Sequence, residues 1–198
     1  PFLFLSALIP PLTAFVSFRY FKNRFSAIVA GLLAVFNGLY FKFLVIPETV
    51  ILYILFGAFF ILFFQSFLAE LNTKKGIFYA AVVGILAGLL HLTRVDGLIF
   101  LLVSLIWVST KFFTEKNPRV IGRKKIFFNL FLIVCGYLLI TGWWYWRNLN
   151  LFGSIFSPSS SHALWIANYD DTFKFPSNQL NFNYWVNFGL QNKVSQIW

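Results

Sequence analysis

Apolar residues in this chain do not alternate with polar ones. They come in long runs separated by short charged breaks. The runs are Phe2–Phe18, Ser26–Val45, Val50–Ala69, Ile77–Leu92, Leu98–Phe113 and Ile126–Trp146. At ~1.5 Å rise per residue, a bilayer core asks for about 20 helical residues. Runs of this length predict an all-α, polytopic transmembrane helix bundle with about six spans. The fourth and fifth runs are slightly short for that role. Pro10-Pro11 remove two backbone donors from the first run, which predicts a kink or break there. A membrane helix tolerates this where neighbouring helices cover the freed carbonyls.

Composition agrees. Hydrophobic residues are 59% of the 198 and charged residues 11%, against roughly 25% charged in ordinary soluble domains. The formal charge of +10 does not point to nucleic acid, because the bases sit in short clusters between apolar runs and form no continuous face. Those clusters sort by side. Arg19, Lys22, Arg24, Lys74, Lys75, Lys111, Lys116, Arg119, Arg123, Lys124 and Lys125 fall in or beside alternate links, on one side of the membrane. Lys42, Arg94, Arg147, Lys174 and Lys193 fall on the other. The first side is cytoplasmic by the positive-inside rule. The chain is thus expected to begin outside, in a plasma (inner) membrane. Residues 1–146 form the bundle. Residues 147–198 form an extracytoplasmic loop region that leads into a further, truncated span. With no Met in the sequence, the chain reads as an internal fragment.

Within the runs, Gly84-Ile-Leu-Ala-Gly88 is a small-xxx-small face, suited to close helix packing in one bundle or to dimerisation. Cys135, the single cysteine, excludes an intrachain disulfide and reads as a packing residue.

The unusual polar chemistry gathers at three outer corners. Pro47-Glu48 precedes the third span, where a proline opens a helix and an anion suits the free amides. Glu48 is either that N-terminal charge or a catalytic or metal-facing carboxylate. His91-Leu92-Thr93-Arg94-Val95-Asp96-Gly97 places an imidazole, a guanidinium and a carboxylate within one short link. Arg94 there suits a lipid-borne phosphate; the alternative is a local Arg94–Asp96 pair that caps two helices. His91 alone reads as a packed, hydrogen-bonded interface residue. Trp143-Trp144-Tyr145-Trp146 form an aromatic belt, followed by Arg147 and Asn148, which suit ordinary headgroups or a substrate phosphate. In the loop beyond, Trp165, Tyr169, Asp170 and Asp171 are of types that hold sugars, although such residues also build turns. Asn181–Gln191 is expected to form a short interfacial helix. No P-loop, dinucleotide fingerprint or GxSxG occurs, and no zinc-ligand spacing.

Taken in order, these motifs resemble the membrane region of the GT-C superfamily of glycosyltransferases. They are Pro47-Glu48, then Gly84-x-x-x-Gly88-x-x-His91-Leu92-Thr93-Arg94-x-Asp96-Gly97, then Trp143-Trp144-x-Trp146-Arg147-Asn148-x-x-x-Phe152-Gly153. The resemblance is closest to the glycosyltransferase family 39 group, with its protein O-mannosyltransferase-like and aminoarabinose-transferase-like members. It covers roughly residues 30–175. It implies transfer of a sugar from a polyprenyl-phosphate donor to an acceptor at the outer face, and it does not name the sugar or the acceptor. It implies that Arg94 and Arg147 hold or support the donor phosphate, with His91 and Asn148 in support. Glu48 and Asp96 match acidic positions of the family. The main carboxylate base is expected in an outer loop upstream, so this fragment alone is expected to be inactive. A divalent metal is the one cofactor the resemblance leaves open, since only some GT-C enzymes require one. The competing readings are a transporter or flippase for a lipid-linked substrate and a non-catalytic membrane scaffold.

Overall fold

The computed structural model describes residues 2–37, 49–114, 122–156, 165–166, 171 and 179–190. Their regular structure is all helical, with no strand among the described residues. The chain divides into two compact units, Pro1–Gly142 and Trp143–Trp198.

The first unit opens with α1 (Phe2–Ala7) and α2 (Ile9–Phe21). The break predicted at the prolines falls at Leu8. Pro10 and Pro11 lie in the first turn of α2, where their missing N–H groups would have had no helical partner. Lys22 closes α2 in the left-handed region, with φ 55°. The side chain of Asn23 then caps α3 (Arg24–Val35), accepting from Phe25 N–H at 2.9 Å. After this α2–α3 hairpin come α4 (Val50–Ala69) and α5 (Lys74–Thr93), which pack along each other. Thr73 caps α5, accepting from Gly76 N–H at 3.2 Å. A 3-10 turn, Val95–Gly97, leads into α6 (Leu98–Thr114), and α7 (Arg123–Phe152) is a helix of 30 residues.

Among the described residues, four helices are long and apolar enough to cross a membrane: Leu3–Phe21, Val50–Ala69, Lys74–Thr93 and Lys124–Phe152. The other two expected spans are shorter, 12 residues at Arg24–Val35 and 17 at Leu98–Thr114. Large apolar side chains stand open on these helices: Phe25 and Leu139 are 73% exposed and Phe127 is 72%. Such surface is stable against hydrocarbon and unstable against water.

Glycines decide how α5 meets α7. A β-carbon on Gly84 would stand 2.1 Å from the Ile133 carbonyl oxygen, and one on Gly136 would stand 2.5 Å from that of Ala81. At Gly88 it would lie 2.9 Å from Ile140 Cβ. The small-xxx-small face is therefore used inside the chain, letting two backbones touch. This corrects the reading of Cys135 as a packing residue. Ile133, Gly136 and Tyr137 turn toward α5, so helical geometry points Cys135 outward, and it is exposed.

A second correction concerns residues 147–152. The aromatic belt predicts an outer loop from residue 147, yet these residues continue α7 to Phe152. Nothing between Trp146 and Phe152 breaks a helix. The stop comes at Gly153, with φ +66° and its N–H on the Leu149 carbonyl at 3.0 Å, the usual glycine C-terminal cap.

Candidate functional site

The corner between α5 and α6 is built on one carbonyl. Leu90 O accepts from Thr93 Oγ1 at 2.7 Å and from Arg94 N–H at 3.0 Å. The 3-10 turn then folds back over it. Gly97 donates its N–H to the Arg94 carbonyl at 2.9 Å. A β-carbon on Gly97 would stand 2.3 Å from the Leu90 carbonyl carbon and 2.5 Å from the His91 nitrogen. Only glycine lets the chain reverse this tightly against its own helix.

This turn places Arg94 in extended backbone just past the helix end. Its Nε donates to both carboxylate oxygens of Asp96, at 3.1 and 3.2 Å. Its Cζ lies 5.7 Å from the ring centroid of Tyr53, near the start of α4. The expected local pair is therefore formed. With the two side chains 44% and 46% exposed, it contributes little stability, ~0–1 kcal/mol. Its effect is orientation. Carboxylate and ring fix the inner edge of the guanidinium, while Nη1 and Nη2 donate to none of the described residues. Two parallel N–H donors on a free edge are the geometry that grips a phosphate or carboxylate.

His91, on the last turn of α5, shares a hydrogen bond through Nδ1 with the hydroxyl of Tyr137 on α7. The rings lie nearly parallel, 28° between planes and 5.9 Å between centroids. Tyr137 is buried, and its carbonyl accepts from Thr141 Oγ1 at 3.0 Å. His91 is thus the packed, hydrogen-bonded residue the sequence suggested. It ties the Arg94 corner to α7.

Two apolar clefts open along α4, and the first of them reaches Tyr53 beside that corner. One, about 290 Å³, runs between α2, α4 and α6, with Tyr53, Gly57 and Phe100 on its wall. The other, about 430 Å³, lies against α3, with Ala30, Leu33 and Asn37 on its wall. Thr13 and Ile54 line both.

In the second unit, Arg147 and Asn148 stand on the last turns of α7. The Arg147 Cζ lies 5.0 Å from the Trp144 ring centroid. Asn148 is buried and donates through Nδ2 to the Ile155 carbonyl at 3.0 Å, which holds the chain beyond Gly153 against the helix. Its Oδ1 has no hydrogen-bond partner among the described residues. Asp171 is buried and accepts from the Tyr184 hydroxyl at 2.9 Å. Trp165 stands edge-on to Phe182 at 5.5 Å. A short helix stands within the expected segment, Phe182–Tyr184 continuing into a π-helix, Trp185–Leu190, capped by Asn181. Asp171 and Trp165 thus pack within this unit, and Asp171 also accepts a hydrogen bond there.

The chain matches no family model, no curated protein and no solved structure. Its chemistry is read from the side chains themselves. Of the sequence-predicted site residues, the structure brings together His91, Arg94 and Asp96. Arg147, Asn148, Trp165 and Asp171 belong to the second unit. Glu48, Tyr169 and Asp170 lie outside the described residues. Among the described residues no three His, Cys, Asp or Glu side chains gather as a metal site would require. Sequence reasoning missed Tyr53 and Tyr137. The available signal was a phenol within an otherwise apolar run, since a buried Tyr hydroxyl seeks a partner.

Proposed function

We propose that this chain is membrane-embedded machinery for glycosyl transfer, taking a sugar from a polyprenyl-phosphate donor to an acceptor at the outer face of the membrane. The observation that carries the reading is Arg94: a guanidinium held through Nε, with Nη1 and Nη2 donating to none of the described residues, beside an apolar cleft that Tyr53 lines. A phosphate on a hydrocarbon tail fits that pairing of groups, and the order of motifs resembling the GT-C superfamily supports it.

The chemistry follows from the residues. Cleavage of the sugar–phosphate bond leaves charge on the polyprenyl phosphate, and Arg94 stabilises it as it develops. Asp96 spends both oxygens on Arg94 Nε, which makes it a positioning acid for the guanidinium. The acceptor hydroxyl still needs a carboxylate to take its proton, and that role falls to Glu48 or to a carboxylate on another segment. Arg147, backed by Trp144, is a second cation available to an anionic headgroup.

The test uses the full-length protein in nanodiscs. Undecaprenyl phosphate is expected to bind well above undecaprenol. Arg94→Gln should remove that difference, a loss of about 10–100-fold for a charge-assisted bidentate contact. A radiolabelled polyprenyl-phosphate sugar should then release free polyprenyl phosphate when acceptor is added. Equal binding of the alcohol and the phosphate would overturn the reading. Labelled lipid crossing the bilayer with no sugar released would point to transport instead.

A further inference from the structure

We infer that the end of the bundle opposite Arg94 holds the headgroup of an anionic phospholipid, at the junction where α5 and α7 begin. This goes beyond the glycosyl-transfer reading and uses none of its phosphate-binding residues. The two helices run parallel. Lys125, in the first turn of α7, meets Asn72 just before α5, and Tyr137, further along α7, meets His91 near the end of α5. Their first turns therefore lie side by side. The link from α4 is fixed there by α7 itself. Lys125 Nζ donates to the Asn72 carbonyl, and Asn129, one turn on, donates through Nδ2 to the Leu71 carbonyl at 3.4 Å.

The junction concentrates positive charge. A helix N-terminus carries roughly half a positive charge, which acidic side chains commonly offset. Neither α5 nor α7 has an acid in its first turn. Instead α5 opens with Lys74-Lys75 and α7 with Arg123-Lys124-Lys125. Lys74, Lys75 and Lys124 are exposed, and none of them has an ion-pair or hydrogen-bond partner among the described residues. Glu70, which ends α4, is the one acid at this end among the described residues, and it forms no ion pair with them. A second observation lies one turn deeper. Asn129 is fully buried, and its Oδ1 accepts no hydrogen bond from the described residues. That oxygen belongs to the same amide that reaches Leu71, so it lies at the junction too. A buried acceptor left without a partner asks for a donor such as a hydroxyl. Phosphatidylglycerol carries both groups, a phosphate for the lysines and hydroxyls for the amide. At a membrane surface each lysine adds to the attraction for such a headgroup.

The experiment reconstitutes the full-length protein with equal amounts of dioleoyl phosphatidylglycerol and dioleoyl phosphatidylcholine, and native mass spectrometry counts the lipids that stay bound. The wild type should retain phosphatidylglycerol over phosphatidylcholine by about tenfold. Lys74→Gln, Lys75→Gln and Lys124→Gln together should bring the two lipids to parity. Asn129→Leu should lower the preference about threefold, the effect of one hydrogen bond. Arg19→Gln, Lys22→Gln and Arg24→Gln together remove the same charge at the α2–α3 turn, which the sequence assigns to the same side, and should keep the preference. Equal retention of the two lipids by the wild type would overturn the inference. So would loss of the preference in both triple variants alike, which is the mark of diffuse attraction. Displacement of phosphatidylglycerol by an equal concentration of glycerol phosphate would overturn the lipid as the source of the phosphate. Should the lysine variant not fold, acetylation of lysines in the wild type gives the same decision. Phosphatidylglycerol should protect Lys74, Lys75 and Lys124 relative to Lys22, and equal labelling of all four would refute the inference.

Discussion

Gly84 and Ile133 meet backbone to backbone: a β-carbon on the glycine would lie 2.1 Å from the Ile133 carbonyl oxygen. No rotamer change relieves such a contact, because the obstacle is a carbonyl held in a helix. Gly84→Ala must push α5 and α7 apart, at a cost on the order of 1–3 kcal/mol or more. Thermal unfolding of the purified protein in detergent should show a clear drop. Gly142→Ala, with nothing within 4 Å of its added carbon, should unfold with the wild type.

The His91–Tyr137 hydrogen bond links the Arg94 corner to α7. Tyr137→Phe removes the hydroxyl and keeps the ring. It is expected to cost about 1 kcal/mol, read as a lower midpoint of thermal unfolding, with hydrogen exchange rising first at Leu90–Gly97. Unchanged exchange in that segment would show that the corner is held by its own turn alone.

Asp96 separates two roles. As the positioning partner of Arg94 it needs only an acceptor for Nε, which Asp96→Asn retains. Binding of undecaprenyl phosphate and sugar release by the full-length protein are then both expected to stay within about threefold of wild type, as suits an exposed pair. Asp96→Leu should weaken binding further. A collapse of sugar release in Asp96→Asn, with lipid binding intact, would instead make Asp96 the base.

Asn129 is fully buried, with Nδ2 3.4 Å from the Leu71 carbonyl and Oδ1 without a partner among the described residues. The long bond contributes little and the orphan oxygen costs, so Asn129→Leu is expected to change stability by less than about 1 kcal/mol. Asn129→Asp places a charge in the same buried position and should destabilise strongly. Urea or thermal midpoints of the two variants check the contrast.

Several features are legible in the sequence alone. Val50–Ala69 matches its apolar run residue for residue, because a run of that kind, bounded by Thr49 and Glu70, has only one way to satisfy its backbone in hydrocarbon. The Arg94–Asp96 pair is legible as an option, its two residues being close neighbours in a forced turn. The end of α7 is harder to place. An aromatic belt followed by arginine looks like a membrane boundary, which puts the end too early, at Trp146. Gly153 is the stop signal that the sequence carries.

What the sequence determined by itself is what short-range physics fixes: helical, apolar segments, the break at Pro10-Pro11, and a rim motif crowded with charge. Tertiary structure decided what depends on partners distant in sequence. It turned Gly84 and Gly88 inward onto α7 and Cys135 outward. It laid Tyr53 under Arg94 and set Tyr137 against His91. It left the clefts open at Gly57. Apolar periodicity carries little of this information, since in helices apolar on all sides every face looks alike until a neighbour's backbone and rings select one.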